Sequence, residues 1–243
     1  MAKNEKKEVK RTVKTKASDM LLLAVLAYLL LLIEPIFKSI VYDNLYYLIP
    51  LGGYGWTFVH RLVCIAVWVF GAIGLIKMSE KNCAYAPFEL KTEDNEKPSA
   101  LQWALISALS AGLVLFFIFD NMDKLKHYIG LLGSASENIS FVMNYIFLAV
   151  EGLVIAVIIA FGQKFGNIAF GKGKWIPYGG IVLGLCWVIM GIFSTFESWS
   201  TYFDWKFLVG MMVYGIIFGL LHIIMGSRLK YSAPFIIIVF MMM

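Results

Sequence analysis

Stretches of about twenty consecutive apolar residues recur along the whole chain of 243 residues, and no other feature limits its folding so strongly. A helix needs about 20 such residues to cross a hydrocarbon layer of roughly 30 Å, and only a structure that pairs its own peptide groups survives there. Six runs qualify, at residues 20–37, 56–76, 100–119, 141–161, 175–196 and 205–226. A further run at 231–243 has 13 residues and reaches only about 20 Å, so it must thin the bilayer, pack inside the bundle or insert incompletely. With 60% hydrophobic and 15% charged residues, an ordinary soluble domain is excluded. The expected fold is all-α, a polytopic transmembrane helical bundle of six clear spans plus a short seventh. Residues 1–19 form a basic tail and 20–243 the bundle.

The loops set the orientation. An N-terminus placed inside puts seven Lys/Arg residues of the first 19, four of 77–99, three of 162–174 and two of 227–230 in the cytoplasm. Only Lys38, Arg61, Lys124, Lys126 and Lys206 then lie on or near the outer side. That asymmetry predicts a cytoplasmic N-terminus. The basic arm, with Lys3, Lys6, Lys7, Lys10, Arg11, Lys14 and Lys16, holds almost nothing to bury and is expected to be disordered. Directly before a span it is read as holding anionic lipid headgroups, and nucleic acid is not an expected partner. The same arm and the run that follows imitate a signal peptide. Glu34-Pro35-Ile36-Phe37 lacks a small-residue cleavage pattern, so an uncleaved anchor is expected. The expected home is a cell membrane, a bacterial inner membrane being the most economical.

Tyr42, Tyr46, Tyr47, Tyr54 and Trp56 gather rings where the chain should meet the outer headgroups. The stretch 77–99 reads as a solvated connector, with Lys97-Pro98-Ser99 as a start signal for the third span. Cys64, Cys83 and Cys186 lie far apart without a Cys-x-x-Cys pair, so neither a disulfide framework nor a thiolate zinc site is indicated. No metal and no cofactor is expected.

An ionisable side chain within a span costs on the order of 3 kcal/mol, so each one asks for an account. Glu151 and His222 are the two clear cases. Glu151 reads either as a proton-handling or ligand-binding carboxylate or as a protonated acid bonded to a neighbouring helix. Gly152 beside it leaves room for water, a partner helix or a metal. His222 needs a carboxylate or metal nearby to act as base or ligand, and is otherwise a hydrogen-bonded packing residue. On ideal helices the two differ by roughly 9 Å in height. Glu34 precedes Pro35, which frees a carbonyl and bends a span, and Glu34 is thereby a candidate to line a cavity. Asn144 is a candidate interhelical donor, and Gly180-x-x-x-Gly184 and Gly215-x-x-x-Gly219 permit close helix approach. His60-Arg61 reads as an interfacial anchor.

From Ile146 onward, over roughly 95 residues, the order of features resembles the CPBP family, also called Abi or CAAX-protease-like, which includes prenyl-protein endopeptidases and bacteriocin-immunity proteins. Val150-Glu151 falls at that family's acidic pair, 161–167 looks like its basic connector, Trp187-Val188-Ile189-Met190-Gly191 falls at its aromatic-x-x-x-His motif, and 210–230 looks like its glycine-rich helix. Glu34, Asn144 and Trp187 complete the candidate binding residues. The departures are specific: Val150 stands for the first Glu, Ile155 for the Arg and Gly191 for the first His, and 231–243 has no His. Phe218-x-x-x-His222 supplies the spacing one helix late. Peptide cleavage needs a base or metal, a polarised water and an oxyanion donor together. The resemblance therefore implies a non-catalytic relative that binds a membrane protein or peptide, as an immunity-like or regulatory factor. The alternatives are an intramembrane metalloprotease using Glu151 and His222, and a small transporter or transporter subunit with Glu151, and Glu34, as a proton relay.

Overall fold

The apolar runs fold as helices, and among the described residues there is no strand. The structure, a computed structural model, describes residues 15–38, 52–88, 99–120, 135–171, 175–197 and 205–242. The helices are α1 (Ala17–Leu31), α2 (Ile33–Phe37), α3 (Gly52–Cys83), α4 (Ala100–Asp120), α5 (Ala135–Ala169), α6 (Tyr178–Glu197), α7 (Trp205–Ile224) and α8 (Leu229–Met242). Four stretches, Ala17–Phe37, Gly55–Cys83, Ala100–Phe119 and Val142–Ala169, are long and apolar enough to cross a membrane. Tyr178–Ile192, Leu208–Ile224 and Leu229–Met242 are shorter apolar helices. The basic arm through residue 14 and Tyr42, Tyr46 and Tyr47 lie outside the described residues, whereas Trp56 is buried.

Two connectors expected to be loops are partly helical. α3 runs 32 residues and α5 runs 35, about 48 and 52 Å, so both outlast a hydrocarbon layer. Hydropathy marks the apolar part of a helix and misses its polar continuation, here Lys77 to Cys83 and Gln163 to Ala169.

α5 is the centre. It packs against α1, α3, α6, α7 and α8, and every residue from Val154 to Gln163 is buried around its full circumference, as befits a helix apolar on all sides. Neighbouring helices alternate in direction. Leu30 meets Trp68 while Thr15 bonds to Cys83, so α1 and α3 are antiparallel. Gly162 faces Gly179, Gly180 faces Gly219, and Phe218 meets Phe240, which sets α6, α7 and α8 alternately against α5. α8 packs into the bundle, against α5, α4 and α7. It buries Leu229, Ser232, Ala233, Ile236 and Val239, and Gly152 of α5 admits it: a methyl group there would stand 3.2 Å from the Ile237 Cα. α4 is peripheral, resting on α8 and α7 through Trp103 against Tyr231 and Phe235 and Phe117 against Tyr214.

The helix ends follow local chemistry. Ser99 starts α4 with a reciprocal capping box: Gln102 N–H donates to Ser99 Oγ at 3.2 Å and Ser99 N–H to Gln102 Oε1 at 2.8 Å. α7 ends in a Schellman motif, Ser227 N–H to His222 O at 3.0 Å and Gly226 N–H to Ile223 O at 2.8 Å, with Gly226 at φ +67°. Gly226→Ala is expected to cost about 1 kcal/mol in equilibrium unfolding, because a Cβ is strained at that φ. Beyond α3 the chain turns through Ala84, and Ser79 Oγ donates to Tyr85 O at 2.6 Å. Burial pushes the Tyr85 phenol above its ordinary range, so the ring stays neutral and offers its face to Lys164 Nζ, 5.2 Å away.

Candidate functional site

A polar layer forms where the first span breaks. Pro35 lacks the N–H that would reach the Leu31 carbonyl, and the helix is interrupted at Leu32 between α1 and α2. Two α3 side chains hold the broken backbone. Trp68 donates its indole N–H to Leu30 O at 2.6 Å, and His60 Nε2 lies 3.4 Å from Glu34 O. Cys64 Sγ is 3.7 Å from the same His60 nitrogen, so His60, Cys64 and Trp68 form one stripe of α3 at i, i+4 and i+8.

That stripe meets α5. The Trp68 ring lies 4.8 Å from Phe147, and Glu151 follows Phe147 by one turn on the same face. Glu34 and Glu151 stand within electrostatic range of each other, and Cys64 of both. Both glutamates are half-buried, and Cys64 is fully buried. α2, α3 and α5 thus bring two carboxylates and a thiol within electrostatic range, with the His60 imidazole beside the thiol. In an apolar surrounding such a pair of acids attracts positive charge. Among the described residues, no three His, Cys, Asp or Glu side chains are grouped closely enough to hold a metal.

His222 is elsewhere. It is fully buried on α7, with Nδ1 2.7 Å from Ser232 Oγ of α8. Ser232 Oγ also bonds to Arg228 O at 3.2 Å, which ties His222 to the start of α8. Nε2 has no hydrogen-bond partner among the described residues. Gly152 lies level with Ile237, five residues along α8 from Ser232, and Glu151 is one residue further away on the antiparallel α5, so Glu151 and His222 differ by about 9 Å in height. They also differ in their neighbours: Glu34 of α2 and Cys64 of α3 lie within electrostatic range of Glu151, whereas His222 is bonded to α8.

Of the other candidates, Glu34 lies within electrostatic range of Glu151, and the half-buried His60 points its Nε2 at Glu34 O and Cys64. Trp187 is half-buried and packs edge-on against Phe218 at 6.2 Å. Asn144 is half-buried with no hydrogen bond among the described residues. Gln163 escaped the sequence reading. Buried on α5, it donates from Nε2 to Ile176 O at 3.1 Å and to Asn167 Oδ1 at 3.2 Å, and its Oε1 accepts from Gly179 N–H at 3.2 Å. Its carboxamide replaces an N-cap for α6. The only sequence signal was a glutamine at the end of an apolar run. No protein-family model, curated protein or solved structure matches the chain.

Proposed function

We propose that the chain is a multi-pass membrane protein with a cytoplasmic N-terminus that acts by binding, without hydrolysis, and that the Glu34–Glu151 layer is where it recognises a positively charged or proton-donating group of a membrane partner or peptide. The supporting observation is that Glu151 lies within electrostatic range of a second carboxylate, Glu34 of α2, and of the Cys64 thiol of α3, with His222 committed to Ser232. A cleaving site would need base, water and oxyanion donor together, and the missing residues of the CPBP-like pattern agree with a non-catalytic relative. The excess of Lys and Arg on one side supports the orientation and a bilayer with anionic lipid on its inner face, as in a bacterial inner membrane.

The test is affinity purification of the full-length chain in mild detergent beside Glu151→Gln and Glu34→Gln. The wild type is expected to retain a peptide, lipid or protein that each variant loses by about tenfold or more, with no Glu151-dependent peptide cleavage. Cleavage that disappears in Glu151→Gln sinks the reading. The facing carboxylates favour one second reading, a proton-coupled transporter. Proton-driven uptake in liposomes, abolished by both glutamine variants, would promote it.

A further inference from the structure

Pro35 removes the donor that a continuous helix would offer the Leu31 carbonyl, and the backbone on either side of that break is gripped from α3. Leu30 O and Glu34 O, which also receive the backbone N–H groups of Leu32 and Lys38, each face a second donor from α3. The indole of Trp68 reaches the first because α1 approaches α3 closely here: a methyl group on Gly71 would stand 2.7 Å from the Leu30 side chain. The imidazole of His60 reaches the second two turns away along the same face of α3. α2 is only five residues long, carries Glu34 and has no buried residue. Its own packing therefore does little to fix the direction of Glu34.

We infer that Trp68 and His60 form a latch on the broken span, positioning residues that hold α2 so that Glu34 faces Glu151. The latch rests on the reading of that layer as the binding site, and it regulates the site by the orientation of one helix turn. With the latch closed the two carboxylates share one layer with Cys64. With it open, α2 swings about Leu32 and Glu34 leaves. Pro35 lowers the cost of such a movement, since no hydrogen bond to Leu31 O has to be broken and the 3.3 Å bond from Ile36 N–H to Leu32 O is the one that crosses the hinge.

The experiment uses the full-length chain in nanodiscs of phosphatidylethanolamine and phosphatidylglycerol, with amide hydrogen exchange followed along the chain and a hydrophobic carbodiimide as the probe of Glu34 and Glu151. Trp68→Phe keeps a ring against Phe147 and removes only the indole donor. Exchange in residues 30–37 is expected to accelerate about five- to tenfold, the equivalent of one lost hydrogen bond, while α6 and α7 exchange as before. The ratio of carbodiimide labelling at Glu34 to that at Glu151 should shift in the same variant, and His60→Leu should reproduce both effects more weakly. Unchanged exchange and labelling in both variants overturn the latch. So does acceleration spread evenly over all helices, which would mark a purely structural role. These readouts need no partner, so loss of the binding reading in the purification experiment leaves them interpretable.

Discussion

Gly215→Leu is expected to prevent the bundle from assembling. A methyl group on Gly215 would stand 2.6 Å from the Gly180 carbonyl oxygen and 2.7 Å from the Gly184 amide nitrogen, and one on Gly219 2.7 Å from the Gly180 Cα. These are backbone atoms of α6, which no rotamer change can move. The helices must separate, and α6 cannot retreat, because Gly179 is pressed against the Ile159 carbonyl and Gly162 on α5. The cost is on the order of 4 kcal/mol, the upper range for a single substitution. Loss of the monodisperse peak in detergent, with a lowered thermal midpoint in whatever survives, is the measurement. Gly112→Leu is the control. Nothing lies within 4 Å of a Cβ there, so it is expected to be neutral or to gain up to about 1 kcal/mol from helix propensity. Equal damage from both variants would dismiss the close crossing of α6 and α7.

The second large effect is expected at Gln163. Leucine has a similar volume and no polar atoms, so Gln163→Leu preserves the packing and strands the buried Gly179 N–H, while the Ile176 carbonyl keeps the Tyr178 N–H at 2.9 Å. One buried orphan costs about 1–3 kcal/mol. Unfolding by denaturant, together with hydrogen exchange at the start of α6, checks this. The loss should be local first, with Tyr178 to Gly180 exchanging before the centre of α5. Gln163→Glu retains an acceptor for Gly179 and should keep that local protection better than leucine does. Identical protection in the two variants would mean that the carboxamide does not cap α6.

What the sequence made legible follows from which forces are local. Apolar runs, Pro35, Lys97-Pro98-Ser99 and the two pairs of spaced glycines each act within a few residues, and each appears where expected as a helix, a break, a helix start or a close crossing. The polar ends of α3 and α5 were missed because a helix that leaves lipid keeps its backbone bonds while its side chains turn hydrophilic. The candidate site was half legible. Glu34 and Glu151 stood out because charge is costly in an apolar run, but they are 117 residues apart and their meeting depends on how α1, α3 and α5 pack. Height along the span told against Glu151 with His222, and the structure gives them different neighbours. Gln163 carried no such warning, since an uncharged amide at the end of a span costs little by itself. Its role comes from a turn that returns Ile176 and Gly179 to it.

The encirclement of α5 has a consequence for biogenesis. Its wrapping is supplied by α1, made long before it, and by α6 to α8, made after it. No partial chain released in order from a ribosome can close the core. The early helices must wait in the bilayer until α6 to α8 have followed, and the core closes only when α8 docks beside Gly152.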